Sequence, residues 1–330
     1  MTSVGIVSYG LYLPAAVESA EALAGRSVLS IEQWHALGVR QKCRPSREDQ
    51  PVVMAARAAE QAFAAADSVT PPEVDVLIYT GEEYKDYIAQ TASIRLQEEL
   101  GCGNAYAFDL VGQGVTTIVG LRVAHDMICG DPSIRTVLLA GGTRNVDLVD
   151  YTRPETRFLF SYSASGSALV VKKDHDKNRL LATAFHTDPE MADAVCVPGG
   201  GTERPFSAEN LESDLMSYRV SDPEKLEAYL RDSWPARLEQ TLKAARADIE
   251  IDYLALRHLP PAQRERILTA CGLTDDQSAS LEEVGHHGAN DVVISLDLGI
   301  KKGAVRDGMT IGMLSGGNGF TYAAAAIQWG

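Results

Sequence analysis

The sequence predicts an α/β fold in which one βαβ-rich unit occurs twice. Strand-like apolar runs alternate with helix-periodic segments along the chain, the signature of buried sheets covered by helices. The pattern also repeats. A helix, a short acidic link and the run VDVLIYT at 74–80 recur as a helix, a link and IDYLALR at 251–257. A strand ending in glycines at 137–142 recurs at 311–317. With 330 residues, 45% of them hydrophobic, the chain holds enough apolar surface for one large domain or two fused ones. We divide it into an N-terminal half (1–173), a linker or excursion (174–222) and a C-terminal half (223–330).

Residues 4–9 read as a strand backed by Gly10, and the Ala-rich segment 52–67 as a helix. Residues 74–80 form the next strand. The helix over 88–100 ends at Gly101, which suits a left-handed C-cap. A strand at 105–110 leads into a helix at 115–129, stopped by Gly130. Strands follow at 136–140, opening into Gly141 and Gly142, and at 164–171. From about 174 to 222 the regularity fades among Pro189, Pro198, three consecutive glycines at 199–201 and Pro205. The pattern then returns: a helix over 223–246 interrupted near Pro235, a strand at 252–256 and a helix at 262–271. A helical run at 292–301, a strand at 310–314, the turn Gly316–Gly317 and a closing strand at 321–328 complete the chain.

Composition excludes several classes of function. The net charge of −15 argues against a nucleic-acid binder, which needs a basic footprint. No apolar run approaches the roughly 18–20 residues of a membrane helix. The N-terminus lacks the basic and apolar regions of a signal peptide. Cys43, Cys102, Cys129, Cys196 and Cys271 are odd in number and show no CxxC spacing, which predicts a reduced cytoplasmic protein without disulfides or a zinc site. Neighbouring His286 and His287 with Asp291 lack the spacing of a metal site. Gly112–Gln113–Gly114 lacks the third glycine of a dinucleotide fingerprint.

Several segments resemble one family. These are VGIVSYGLYLP at 4–14, LGVRQKCR at 37–44, AFDLVGQGVT at 107–116, Leu296–Asp297 with GAVRDG at 303–308, and GGNGFT at 316–321. They resemble β-ketoacyl-ACP synthase III and HMG-CoA-synthase-like proteins of the thiolase superfamily, over nearly the whole chain. The resemblance implies a thiolase-like fold with a layered αβαβα core, and it implies a homodimer.

It also places site residues. The family's nucleophilic Cys stands five residues after the motif Asp, and five after Asp109 is Gly114, with Gln113 as its neighbour. No acyl-enzyme forms on a glycine. The family's catalytic histidine follows a strand, as His258 does, and an imidazole there can polarise a thioester oxygen or accept a proton. The family's second polar residue falls on His286, Asn290 or Asp291. We take His258 and Asp291, with Asn290 beside them, as the catalytic candidates; Asp291 also suits a helix N-cap. The glycine loop with Gly317 and Asn318 lies near the reacting centre. Trp34 would stack on adenine, and Arg40, Lys42 and Arg44, with Arg47, would face coenzyme A or an acidic acyl carrier protein. Tyr84, Tyr87 and Ile88 are tunnel candidates.

The resulting reading is an acyltransferase acting on an acyl-CoA or acyl-ACP thioester without a covalent intermediate, with no bound cofactor. The alternatives are a non-catalytic subunit beside a Cys-bearing thiolase-fold partner, or a thioester decarboxylase or hydrolase.

Overall fold

The computed structural model describes residues 3–208 and 214–330. The strands are β1 (Val4–Tyr12), β2 (Val17–Ser19), β3 (Gln41–Cys43), β4 (Val76–Tyr79), β5 (Tyr106–Asp109), β6 (Thr136–Thr143) and β7 (Ser165–Lys173). They continue as β8 (Arg179–Thr187), β9 (Val195–Cys196), β10 (Arg219–Val220), β11 (Tyr253–Leu256), β12 (Thr310–Gly317) and β13 (Thr321–Gln328). The α-helices described are α1 (Ala20–Ala24), α2 (Ile31–Ala36), α3 (Pro51–Ala65), α4 (Ala92–Leu100), α5 (Thr116–Gly130), α6 (Pro223–Arg246), α7 (Pro261–Cys271) and α8 (Asp291–Lys301).

The duplication is explicit in the sheet. Strand order is β5-β4-β6-β7-β1 in one half and β8-β13-β12-β11 in the other, joined by the single pair Gly5–Arg179. In each half the first strand pairs antiparallel with the last, the last pairs antiparallel with the glycine-ended strand, and that strand runs parallel to the short buried one. Helices α5 and α8 carry apolar residues into one core shared by both halves, including Ile118, Leu121, Val292, Val293 and Leu296. The Ala-rich α3 covers the outer face of the first half, and α6, through Trp234, Leu238 and Leu242, that of the second. The layers therefore run αβαβα, as the resemblance implies.

Three elements depart from the sequence reading. Residues 179–187, inside the stretch taken as a linker, form β8, a full strand of the second half-sheet. Residues 209–213 of that stretch lie outside the described residues. Helix α6 runs unbroken through Pro235, which is buried within it. Helix α4 begins only at Ala92, so residues 88–91 belong to the preceding loop.

Candidate active site

The site lies where the two halves meet, at the N-termini of α5 and α8. Each helix is preceded by a short 3-10 turn that opens on a left-handed residue: Gln113 at φ 54° and Gly288 at φ 57°. The glycine end of β12 packs onto the first turn. Ser315 Oγ donates to the Gly114 carbonyl at 2.6 Å. A Cβ on Gly114 would lie 2.5 Å from the Gly316 carbonyl oxygen, and one on Gly317 would lie 2.8 Å from the Gly114 nitrogen. The space a side chain at 114 would use is therefore filled by backbone.

Beyond β11 the side chains alternate in direction. Arg257 turns into the site: Nη1 donates to the Gly316 carbonyl at 2.8 Å and Nη2 to His286 Nε2 at 2.8 Å. A guanidinium only donates, so His286 Nε2 is the acceptor and Nδ1 carries the proton. That proton goes to Asp291 Oδ2 at 2.5 Å. Asp291 is fully buried and also accepts from the His258 and His287 backbone N–H groups, at 2.8 and 2.7 Å. Burial works against its charge, yet the surrounding histidines, His286 first, hold it well below the ordinary carboxylate range. Burial, more than any neighbour, keeps the His286 ring neutral by lowering its pKa. The ring stacks on Tyr162 with centroids 4.7 Å apart.

His258 meets Asp291 through its backbone, not its ring. Its Nε2 donates to the Gly38 carbonyl at 2.9 Å, which ties the turn after α2 to the site. Burial, then the neighbouring His286, lowers its pKa to about 4. Asn290 is saturated. It accepts from Ser167 Oγ at 2.6 Å and donates to Ser165 Oγ at 3.0 Å and to the Ser165 carbonyl at 3.2 Å, pinning α8 to β7.

The remaining sequence candidates separate. Asn318 lines both cavities of the site. The smaller, about 90 Å³, includes Arg257, His258, His286 and Tyr162; the larger, about 810 Å³, includes Gln113, Asn145, Tyr84, Tyr87 and Ile88. Trp34 is fully buried against Tyr151 and Phe160, so neither ring face is open to an adenine. Lys42 is equally enclosed. Its Nζ donates to the Tyr151 hydroxyl and, at 2.8 and 2.7 Å, to the Phe160 and Tyr162 carbonyls, and burial lowers its pKa to about 7. Exposed Arg40 pairs with Glu282 at 3.3 Å, while Arg44 lines a separate groove with Glu18, Arg26 and Asp147.

Two site residues escaped the sequence reading. Arg257 is one; an arginine closing the buried run YLAL was the available signal. Glu82 is the other. It is 1% exposed, and neither carboxylate oxygen has a hydrogen-bond partner. Burial raises its pKa to about 7; the Ala289 N–H and Arg257 offset part of that from positions that make no regular hydrogen bond.

The 3-oxoacyl-[acyl-carrier-protein (ACP)] synthase III family model matches residues 108–189, and the model of that family's C-terminal part matches residues 243–329. Together they cover about half of the chain, including both glycine turns, Arg257, His286 and Asp291. The chain belongs to the ketosynthase III-like branch of the thiolase superfamily. A curated β-ketoacyl-[acyl-carrier-protein] synthase III from Aliarcobacter butzleri is 22% identical over 98% of this ketosynthase III-like chain and 96% of its own length. Among solved structures, 3-oxoacyl-(acyl carrier protein) synthase III from Pseudomonas aeruginosa superposes with a TM-score of 0.84 at 20% identity, covering 99% of this chain and 98% of that one. OleA from Xanthomonas campestris, solved with bound lauric acid and lauroyl-CoA, gives 0.83 at 17% identity, covering 99% of each chain. Among the described residues, no helix is long and apolar enough to cross a membrane, and no group of three or more His, Cys, Asp or Glu is placed to hold a metal ion.

Proposed function

We propose that this protein is a ketosynthase III-like acyltransferase that moves an acyl group from a coenzyme A or acyl-carrier-protein thioester directly to an acceptor. The observation that carries the reading is the Asp291–His286–Arg257 relay beside a glycine whose side-chain space is closed. A buried relay of this kind costs folding stability, which a pure scaffold has no reason to bear. Asp291 fixes the His286 tautomer, leaving Nε2 as the base. The acceptor's O–H or N–H gives its proton to Nε2 as its heavy atom bonds to the thioester carbonyl carbon. Arg257 shifts from Nε2 to the carbonyl oxygen and stabilises its developing charge. The C–S bond then breaks, and the thiolate leaves with the proton held on His286. This moves the base from His258 to His286 and gives His258 a positioning role. A homodimer belongs to the same reading, and the exposed Tyr87 and Ile88 at the rim of the larger cavity support it.

The test is release of coenzyme A from acyl-CoA donors with amine and alcohol acceptors. His286→Ala and Arg257→Ala should each lower turnover by about 10²-fold or more. His258→Gln, which keeps a donor to Gly38, should cost about tenfold or less. Unchanged turnover in His286→Ala refutes the assignment.

A second reading, decarboxylation of a malonyl-type thioester, has its own support. Left-handed Gln113 lines the larger cavity, next to the closed position 114. It predicts carbon dioxide release from malonyl-CoA that is lost in Gln113→Ala. No turnover with any donor would instead favour a non-catalytic subunit beside a Cys-bearing partner.

A further inference from the structure

We propose that Trp234 is a positioning residue for the transfer step: its indole face holds the Arg257 guanidinium while that group passes from His286 to the thioester oxygen. The consequence for turnover rests on the acyl-transfer reading; the contact itself rests on geometry.

Arg257 is a cation without a counter-charge in contact. Among the described residues it makes no ion pair; Asp291 and Glu82 act on it only from farther away, and burial, the largest influence, works against its charge. Its terminal nitrogens donate to the Gly316 carbonyl and to His286 Nε2, each at 2.8 Å, and its buried Nε has no hydrogen-bond partner. What faces the charge is a ring: Cζ lies 4.9 Å from the Trp234 centroid. A guanidinium at that distance is attracted by the negative face of the indole. The ring is itself fixed. Trp234 is buried, with Phe320 edge-on at 5.3 Å and Tyr322 tilted at 5.2 Å. It also lies flush against Gly316, where a Cβ would fall 2.4 Å from Trp234 Cη2. One residue of α6 thus supports both the guanidinium and the backbone carbonyl it bonds.

The two kinds of contact do different things. A hydrogen bond fixes direction, and the one to His286 Nε2 must break when that nitrogen takes the acceptor's proton. Attraction to a ring face does not depend on where each N–H points, so it persists while the guanidinium turns toward the thioester oxygen. At that moment the Trp234 face and the Gly316 carbonyl are its remaining holds. Without the indole face Arg257 keeps a single anchor, and the misplacement costs rate more than affinity.

The experiment grows the full chain with monofluorinated and then trifluorinated tryptophan, which keep the ring's shape and weaken its face. For coenzyme A release, kcat should fall at each step, by about threefold or more in total, with KM changed by less than about twofold. Trp34 and Trp329 take up the label too, so Trp234→Phe grown the same way is the control and should show no fluorine effect. Trp234→Leu, which removes the face, should lower kcat about tenfold or more. A kcat that ignores fluorination, or that responds equally in Trp234→Phe, overturns the proposal and leaves acyl transfer standing. A second readout needs no turnover. In NMR of protein carrying isotope-labelled arginine, the Arg257 Nη signals are identified by their loss in Arg257→Lys. They should be separate lines in the wild type and merge in Trp234→Leu. They should also draw together in the trifluorinated protein, which guards against a folding artefact of the variant. Protein that releases no coenzyme A from any donor would sink the acyl-transfer reading, and these lines would then decide the contact by themselves. Lines already merged in the wild type, or unchanged when the indole face is weakened or removed, overturn the proposal.

Discussion

Glu82 carries a charge that the fold supports poorly, and its cost is measurable. Its pKa is about 7 in the folded protein against an ordinary 4.5, with burial the main cause. The folded state thus holds its proton more tightly than the unfolded state does. Below pH 4.5 both states are protonated and nothing is lost. Between pH 4.5 and 7 the unfolded state ionises first and stability falls; above pH 7 the loss is constant. Glu82→Gln escapes it, so the variant should match the wild type near pH 4.5 and exceed it by about 3 kcal/mol at pH 8. Urea unfolding at both pH values checks this; equal stability at pH 8 contradicts it. At the same scale, the site was only partly legible. Asp291 stands out in the sequence as a carboxylate at a helix start after Gly-His-His-Gly. The choice among His286, Asn290 and Asp291 was open because a turn has no period to fix directions. The structure gives each its own place: His286 faces Arg257, Asp291 orients it, and Asn290 staples the helix. Choosing between Arg257 and His258 needs the parity of the strand end, and that depends on one residue of register.

Two elements set the shape of the site: the glycine end of β12 and the start of α8. The first predicts that Gly114→Cys does not create a nucleophile. Its Cβ would meet the Gly316 carbonyl, so backbone must move, at a cost of about 1–3 kcal/mol. Thermal unfolding should show that loss, and an iodoacetamide trap should find no activated thiol at 114. Rapid, stoichiometric labelling there would show that the turn opens. The second predicts that Asn290→Ala loses about 2 kcal/mol or more in urea unfolding, because Ser165 and Ser167 lose buried partners. A loss below about 0.5 kcal/mol would mean that α8 is held by its apolar face alone. Most elements were legible because their apolar residues keep a period of two or of 3.6. β8 was not: its Ala- and Thr-rich sequence is half-exposed along most of its length, so no clean alternation marks it. Pro235 misled for the opposite reason. A proline removes one helical hydrogen bond, yet here Trp234, Leu238 and Leu242 anchor the helix on both sides of it.

At the scale of the whole molecule, the two halves are one cooperative object. Their central core mixes α5 and α8 with strands of both half-sheets, and the relay takes Arg257, His286 and Asp291 from one half against Gly114 and Glu82 of the other. Unfolding followed by tryptophan fluorescence (Trp34 in the first half, Trp234 and Trp329 in the second) should coincide with unfolding followed by circular dichroism; two separated transitions would contradict a shared core. The duplication itself was legible from the repeated strand and glycine patterns. The closure of position 114 was not, because it depends on backbone meeting backbone across the pseudo-symmetric interface, and glycines leave no periodic trace of such contacts. That closure is what the functional account rests on. Intact-protein mass spectrometry during turnover with an acyl-CoA and an amine or alcohol acceptor tests it most directly. The account predicts release of coenzyme A and an acylated acceptor, with the protein at its unmodified mass throughout and turnover lost in His286→Ala. A protein heavier by one acyl group that forms and decays at the rate of turnover would contradict it, and would turn the search for a nucleophile first to Cys196 on the wall of the larger cavity.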